Sequence, residues 1–193
     1  MKAVFRNIYK SNGWKSKESV SGPGSAVSRT IELRQKLLQI ITNFNIKSVV
    51  DIPCGDLNWI SPILDKIPNY VGIDIVDELI LKNKKKFNNN IFYIDDIRSS
   101  EKLNCDLLIV RDALFHFSRK NVMLALKNIK KNNPQYILTT EVINKNHKNK
   151  NIRDGAWHPI ALQNSPYNFP EPIFKIKEDA KHKYICLWKV KDI

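Results

Sequence analysis

Carboxylate side chains follow four successive apolar segments of this sequence, in positions that suit ligand binding. They lie in the loop 51–56 and at Asp74, Asp95, Asp96 and Asp112. Ligands of an open parallel sheet bind outside the carboxyl ends of its strands, so residues that directly follow a strand are candidate contacts. An acidic residue about 20 positions after a glycine turn can accept hydrogen bonds from both hydroxyls of a ribose. Asp74 follows the glycine of the loop at such a spacing, which predicts that it binds a vicinal diol.

A histidine follows the fourth apolar segment, at the end of the stretch 111–116. Histidine is the side chain whose unperturbed pKa suits proton transfer near neutrality. Asp112 and His116 stand four positions apart, so they share a face if this stretch is helical or forms a turn. The sequence therefore predicts that both are catalytic: His116 as the general base on an alcohol, and Asp112 as the residue that orients the ring or binds a neighbouring hydroxyl.

The segment 144–172 is rich in proline and asparagine and has no sustained periodicity, which predicts a long ordered loop. Loops of more than about 12–15 residues are usually either functional or disordered. Aromatic rings suit the apolar faces of sugars, so we expect Trp157, His158 and Tyr167 to form one wall of the site that binds the molecule acted on, the acceptor. Packing of the loop over the end of the sheet is the alternative. His158 is also the second candidate for the catalytic base.

Strand and helix patterns alternate along the chain. Five short runs rich in Ile, Val and Tyr are typical of strands buried on both faces: 48–52, 70–75, 91–94, 106–110 and 136–140. Helical spacing of apolar residues occurs between and before them, at 30–43 (with Thr30 as cap), 57–66, 76–87 and 118–131. The alternation predicts an α/β, doubly wound, mostly parallel sheet. Segments 173–177 and 184–190 predict an antiparallel C-terminal hairpin, whereas residues 1–28 are polar and expected to be irregular.

Composition limits the class of protein. The 193 residues, with 42% hydrophobic and 26% charged, fit a single globular domain. No apolar run approaches the ~18 residues of a membrane span, and no secretory signal is evident. Three widely separated cysteines predict neither a disulfide framework nor a zinc cluster, which favours the cytoplasm. The acidic residues show no ligand spacing that identifies a metal site, and metal dependence stays open.

The net charge of +13 suggests a polyanionic partner, but the type of basic residue weakens that interpretation. The chain has 25 Lys and only 7 Arg, together with 21 Asn and 25 Ile. Lys, Asn and Ile have A/T-rich codons, and Arg is the residue preferred for phosphate and base recognition. We therefore expect a solvated basic surface and no specific binding of nucleic acid.

The order of the elements resembles that of class I S-adenosylmethionine-dependent methyltransferases over roughly residues 30–193. The resemblance implies a Rossmann-like fold of seven strands, with S-adenosyl-L-methionine as cofactor and S-adenosyl-L-homocysteine as product. It also implies cofactor binding by Asp51, Cys54, Gly55 and Asp74 and by Asp96 or Asp95. The predicted set further contains Pro53 and Asp56 of the same loop, Arg111 after the fourth strand, and Trp59 in the following helix, for which a place in the core is the alternative. In that set, the loop after the first strand holds the amino-acid end of the cofactor, and Asp74 binds the hydroxyls of its ribose. Asp96, or alternatively Asp95, binds the amine of its adenine. The family pattern D-x-G-x-G-x-G is incomplete here, because Pro53 and Leu57 stand at two of the glycine positions.

Four further strings resemble a small methyltransferase group associated with surface glycans: SGPGS, DIPCGDLNW, VRDALFHFS and GAWHPIALQNSPYNFPEP. This resemblance implies methylation of a sugar hydroxyl. The paired glycines and hydroxyls of Ser21–Ser25 suit a flap over the methionine end of the cofactor, so we expect residues 1–29 to form an N-terminal flap, with a frayed tail as the alternative. The loop 144–172 is then the expected acceptor-site loop. The alternatives are an RNA methyltransferase, suggested by the charge alone, and an inactive cofactor-binding subunit. A nicotinamide-dependent dehydrogenase would normally carry G-x-G-x-x-G, which is absent.

Overall fold

A computed structural model describes residues 1–178 and 182–193. Seven strands of this part of the chain form one sheet in the order β3-β2-β1-β4-β5-β7-β6. Their bounds are β1 Val49–Asp51, β2 Tyr70–Asp74, β3 Ile91–Ile94, β4 Leu107–Val110, β5 Tyr136–Val142, β6 Phe174–Lys177 and β7 Lys183–Lys189. The predicted α/β fold with an antiparallel C-terminal hairpin is confirmed. Residues Met1–Asp96 and Ile97–Ile193 form two compact units, which are described in turn.

The first unit contains three parallel strands and three α-helices. The strands pair in register, Val49 with Tyr70 and Val71 with Ile91. The helices are α1 Lys2–Lys10, α2 Ile31–Asn43 and α3 Asp77–Lys86. Leu37 of α2 and Ile80 of α3 are fully buried, because apolar side chains at helical spacing give each helix one face that packs in the core.

The second unit contains two parallel strands, the antiparallel hairpin and helix α4, Arg119–Asn132. β5 is parallel to β4 and antiparallel to β7, which in turn pairs with β6. No helix or strand interrupts the segment 144–172, as its lack of periodicity predicted. Residues 179–181, in the predicted turn of the hairpin, lie outside the described residues.

Four local predictions were wrong. Residues 57–66 form no α-helix but turns and a 3-10 helix at Ser61–Lys66, since Leu57 adopts a φ of 57° that a right-handed helix excludes. The predicted irregular N-terminus contains α1, which is tied to α3 by ion pairs such as that of Arg6 with Glu78 at 2.6 Å. Thr30 precedes α2, but its hydroxyl donates to earlier carbonyl groups and gives no side-chain cap. β3 is not buried on both faces, because it is an edge strand and Ile91 is 55% exposed.

No helix among the described residues is long and apolar enough to cross a membrane.

Candidate functional site

The loop after β1 is built around Gly55 in the first unit. Gly55 adopts a φ of 58°, a left-handed conformation that glycine enters without steric cost. Its N–H donates to Asp74 Oδ2 at 3.1 Å, and its carbonyl accepts from Asn83 Nδ2 at 2.7 Å. The N–H of Cys54 donates to the carbonyl of Ile73 at 2.8 Å. The end of β2 and helix α3 therefore fix the path of this loop. The predicted site loop and Asp74 lie together.

Asp74 is a buried acid whose carboxylate is held by backbone N–H groups. Its side chain is buried, and its Oδ1 accepts the N–H of Val76 at 2.9 Å. Burial raises the pKa of Asp74 to about 6, although the N–H groups of Val76 and Gly55 favour the ionised form. The carbonyl of Asp74 also accepts the N–H of Asp95 at 3.1 Å, so the ends of β2 and β3 meet. Asp74 and Asp95 therefore lie side by side at the carboxyl ends of β2 and β3.

The N-terminal segment binds Asp56, a contact that the sequence did not reveal. Asp56 Oδ1 accepts from the hydroxyls of Ser19 at 2.9 Å and Ser21 at 3.1 Å, and its Oδ2 accepts the N–H of Val20 at 2.9 Å. The N–H of Asp56 donates to Ser21 Oγ at 3.1 Å. The carboxylate of Asp56 thus holds residues 19–21 on the loop after β1. The sequence carried one signal for it, the polar SVSGPGS stretch that predicted a flap.

Three other predicted cofactor residues are buried in the first unit and support the loop. Asp51 Oδ2 accepts the hydroxyl of Tyr70 at 3.0 Å. Burial raises the pKa of the Cys54 thiol well above its usual value, which keeps it neutral. The carbonyl of Trp59 accepts from the guanidinium of Arg34 at 3.0 Å.

The remaining predicted residues of the first unit are less deeply placed. Pro53 follows a cis peptide bond and is half-buried. Asp95 and Asp96 are half-buried after β3, where Asp95 Oδ1 accepts the N–H of Asp96 at 2.8 Å. A direct cofactor contact by any of these residues stays a prediction.

The hydrogen-bond acceptors of this cluster fit the adenosine part of S-adenosylmethionine. A carboxylate has about four lone-pair sites, so Asp74 can accept hydroxyl hydrogens in addition to its backbone bonds. Asp95 and Asp96 follow the neighbouring strand, and the loop around Gly55 carries backbone groups beside Asp74. Acceptors for hydroxyl and amine groups thus stand at one edge of the unit, as an adenosine moiety requires.

In the second unit, His116 ends a 3-10 turn, Leu114–His116, that follows β4. Its Nδ1 lies 2.8 Å from the carbonyl oxygen of Ala156. A carbonyl only accepts, so Nδ1 carries the proton and Nε2 is the basic atom of the neutral ring. Burial lowers the pKa of His116, which keeps the ring neutral at pH 7. The arrangement suits a general base.

The orienting group of His116 is thus the Ala156 carbonyl, where the sequence suggested Asp112. Asp112 has a φ of 51° and exchanges two hydrogen bonds with Thr140, at 2.8 and 2.9 Å. Lys183 Nζ lies 2.8 Å from its Oδ1. Burial opposes ionisation of Asp112, but Arg111 and Lys183 outweigh it and lower its pKa.

Glu178 and Lys183 complete an ionic cluster with Arg111 and Asp112, and no local sequence pattern pointed to Glu178 or Lys183. Arg111 Nη2 lies 2.8 Å from Glu178 Oε1, and Lys183 Nζ lies 2.6 Å from Glu178 Oε2. Arg111, predicted to bind the cofactor, is therefore buried in an ion pair with a residue 67 positions away. Pairing is what a buried guanidinium requires.

Side-chain amides and one carboxylate order the loop 144–172. Asn149 donates to the carbonyl of Ala161 at 2.8 Å and accepts its N–H at 2.9 Å. Asn164 donates to the carbonyl of His147 at 2.8 Å. Buried Glu141, at the end of β5, accepts the N–H of Leu162 at 2.6 Å. The asparagine content of the loop was the sequence signal for this network, whereas nothing local marked Glu141.

The predicted acceptor residues have different environments. His158 Nε2 accepts the N–H of Lys150 at 3.1 Å, and the ring stacks on His147 with centroids 5.2 Å apart. These contacts fix the orientation of the ring, and burial lowers its pKa. Its role as second candidate base stays a prediction. Trp157 is 64% exposed and meets Phe115, the neighbour of His116, edge to face at 6.4 Å. Tyr167 is half-buried.

The fold matches those of known methyltransferases. The chain aligns with magnesium protoporphyrin IX methyltransferase from Synechocystis, a structure with bound S-adenosylmethionine, at a TM-score of 0.64 and 14% identity, over 96% of this chain and 94% of that one. It aligns with human N-acetylserotonin methyltransferase at a TM-score of 0.66 and 14% identity, over 96% and 58%. The methyltransferase domain of bacterial CtHen1 aligns at 0.51 and 14%, over 57% of this chain and 65% of that domain.

The chain thus spans less than two thirds of the CtHen1 domain. At these identities the likeness shows the class I methyltransferase fold. No protein-family model and no curated protein matches the sequence.

Proposed function

We propose that this protein transfers a methyl group from S-adenosylmethionine to a hydroxyl of a sugar in a glycan or glycoconjugate. The observation that carries the methyl-transfer part of the proposal is the match of the fold to a methyltransferase with bound cofactor over 96% of the chain. The sugar acceptor is supported by the exposed Trp157 ring beside the turn that carries His116. Asp74 and His116 supply the two groups that the reaction needs, an acceptor for ribose hydroxyls and a base for the sugar hydroxyl.

In the first unit, Asp74 binds and orients the ribose. S-adenosylmethionine, when bound, supplies an electrophilic methyl group. Asp74 is preorganised for its part, because the N–H groups of Gly55 and Val76 fix both carboxylate oxygens before the ligand arrives. A ligand that meets a fixed carboxylate loses little affinity to side-chain ordering.

Isothermal titration calorimetry tests this assignment. Asp74→Ala removes a charge-assisted pair of hydrogen bonds and should weaken S-adenosylmethionine binding roughly ten- to hundredfold. Asp65→Ala removes an exposed acid of the same unit and should leave the affinity unchanged. Circular dichroism confirms that both variants are folded. A folded Asp74→Ala protein with native affinity would remove Asp74 from the cofactor site.

In the second unit, His116 takes the proton of the acceptor hydroxyl at Nε2. The Ala156 carbonyl holds the tautomer, and the lowered pKa keeps Nε2 unprotonated at neutral pH. A sugar hydroxyl is almost entirely protonated at pH 7, so a base within hydrogen-bond reach speeds transfer by about 10²–10⁴-fold. The exposed ring of Trp157 stands near this turn through Phe115 and offers a stacking face for a sugar.

The acceptor is identified by mass spectrometry after incubation with methyl-labelled cofactor. We expect methyl addition to sugar hydroxyls and none to RNA or protein supplied in parallel. On the identified acceptor, His116→Gln should lower kcat at least a hundredfold with cofactor affinity intact, whereas the exposed control His182→Gln should not. The rate should fall with decreasing pH only below the range in which an ordinary histidine becomes protonated, because burial lowers the pKa of His116. Methylation of RNA alone would overturn the sugar proposal.

A further inference from the structure

An open cleft of about 530 Å³ lies in the second unit, between the start of α4 and the loop 144–172. Eight residues line it: Arg119, Lys145, His147, Lys148, Asn149, Asn164, Ser165 and Pro166. Cavities of about 300–1,000 Å³ are the size that holds small molecules or their substituents. The volume therefore suffices for a phosphate or pyrophosphate group with part of its carrier.

The lining of the cleft has one sign of charge. Arg119, Lys145 and Lys148 contribute three cations, and among the residues described there is no carboxylate in the lining. Glu171, a carboxylate on which Lys145 acts electrostatically, is already bonded to Lys175. A concave surface lined by one sign of charge concentrates ligands of the opposite sign.

The walls of the cleft are ordered by hydrogen bonds that do not consume its charge. The Arg119 guanidinium donates to the carbonyl of Asn149 at 3.0 Å, a neutral acceptor that positions the side chain and leaves its charge unneutralised. The N–H of Arg119 donates to Asn151 Oδ1 at 2.9 Å. Asn149 and Asn164 bond to the backbone on the other side of the loop, which holds the two faces together. The loop backbone and the Arg119 guanidinium therefore need little ordering when an anion binds.

One wall of the cleft is continuous with the turn that carries the proposed base. His147 lines the cleft and stacks on His158, and the N–H of His158 donates to the carbonyl of Phe115 at 3.1 Å. Phe115 precedes His116. A molecule anchored in the cleft is therefore held by the same packed segment that orients the base.

We infer that this cleft binds a phosphate or pyrophosphate group attached to the acceptor, which makes the acceptor a phosphorylated sugar. This inference rests on the proposed function for the role of acceptor, but the anion site itself does not. Arg119 provides a planar guanidinium for two phosphate oxygens, and Lys145 and Lys148 provide point charges. Part of the net charge of +13 thereby acquires a function.

Calorimetric titration with inorganic pyrophosphate, in the absence of cofactor, tests the site. The double variant Lys145→Ala/Lys148→Ala should bind pyrophosphate at least tenfold more weakly than the native protein. Lys127→Ala/Lys130→Ala removes two exposed lysines of α4 that do not line the cleft, so it matches the change in charge. It should retain native affinity. Equal weakening in both variants, or no measurable binding, would overturn the inference.

Competition experiments identify the source of the phosphate. Glucose 1-phosphate and UDP-glucose are each tested for displacement of pyrophosphate, and displacement by either supports a phosphorylated sugar. A single-stranded RNA oligonucleotide is tested in the same way. If RNA binds more tightly than pyrophosphate, depends on Lys145 and Lys148, and neither sugar displaces pyrophosphate, the cleft is a nucleic-acid surface and the inference is wrong. A protein that binds pyrophosphate in the cleft but transfers no methyl group refutes the proposed function and leaves the anion site intact.

Discussion

Gly55→Ala should destabilise the protein through the N-terminal segment as well as through the backbone. Alanine at a φ of 58° costs about 1–2 kcal/mol, because the left-handed region brings a Cβ too close to the backbone. The added Cβ would also lie 2.2 Å from Ser21 Oγ and 3.2 Å from Ser21 Cβ. No real Cβ tolerates the first distance, so Ser21 must move.

The displacement of Ser21 removes two hydrogen bonds with Asp56, each of 3.1 Å. Hydrogen bonds of this kind contribute about 1 kcal/mol when neutral and about 1.5–3 kcal/mol when one partner is charged. One of the two bonds is neutral and the other involves the Asp56 carboxylate, so their loss adds roughly 3 kcal/mol to the backbone strain. In a Ser21→Gly background the contact and the bonds are already absent, and Gly55→Ala should cost the strain alone.

A double-mutant cycle in urea, followed by circular dichroism, measures this coupling. We expect the two substitutions to be less than additive by about 3 kcal/mol. Gly55→Ala should also speed tryptic cleavage after the exposed Lys17, since Asp56 then holds the segment only through Ser19 and Val20. If Gly55→Ala costs the same free energy in both backgrounds, Ser21 does not occupy the space beside Gly55 and this reasoning is wrong.

Two further substitutions test groups that order the second unit. Glu141 is buried and its pKa is raised to about 7, so the folded state keeps a proton that the unfolded chain has released. The free energy of unfolding should therefore fall by about 3 kcal/mol from pH 4.5 to 7, and Glu141→Gln should abolish this dependence in urea titrations at several pH values. Asp154 Oδ1 accepts the N–H of Ser118 at 2.7 Å, at the start of α4. Asp154→Ala should cost about 1–2 kcal/mol in the same assay, and an unchanged midpoint would exclude this capping role.

The order of strands and helices was predictable because each depends on residues close in sequence. Short apolar runs such as 107–110 form strands because their residue types favour the extended backbone of a sheet. The prediction for the segment 57–66 was wrong. Its apolar spacing is helical, but Leu57 has a positive φ and the residues after it form turns and a 3-10 helix. Burial was also misjudged at β3, because position at the edge of a sheet is a property of the whole topology.

Some residues of the candidate site were likewise predictable from the sequence, and others were not. The glycine turn and Asp74 were evident from type and spacing, and the structure joins them by a direct hydrogen bond. His116 was evident as a base from its type and its place after β4. Its partner was not, since Ala156 contributes a backbone carbonyl that any residue could supply.

The sequence alone determined the α/β order, the hairpin and the strand ends that carry acids, because periodicity and residue type act over a few positions. Tertiary structure decided which charges neutralise one another. Asp112 pairs with Lys183, 71 positions away, and Asp56 binds serines about 35 positions before it. Hydrogen bonds and ion pairs form over about 3 Å in space whatever the distance along the chain, and no local pattern encodes them.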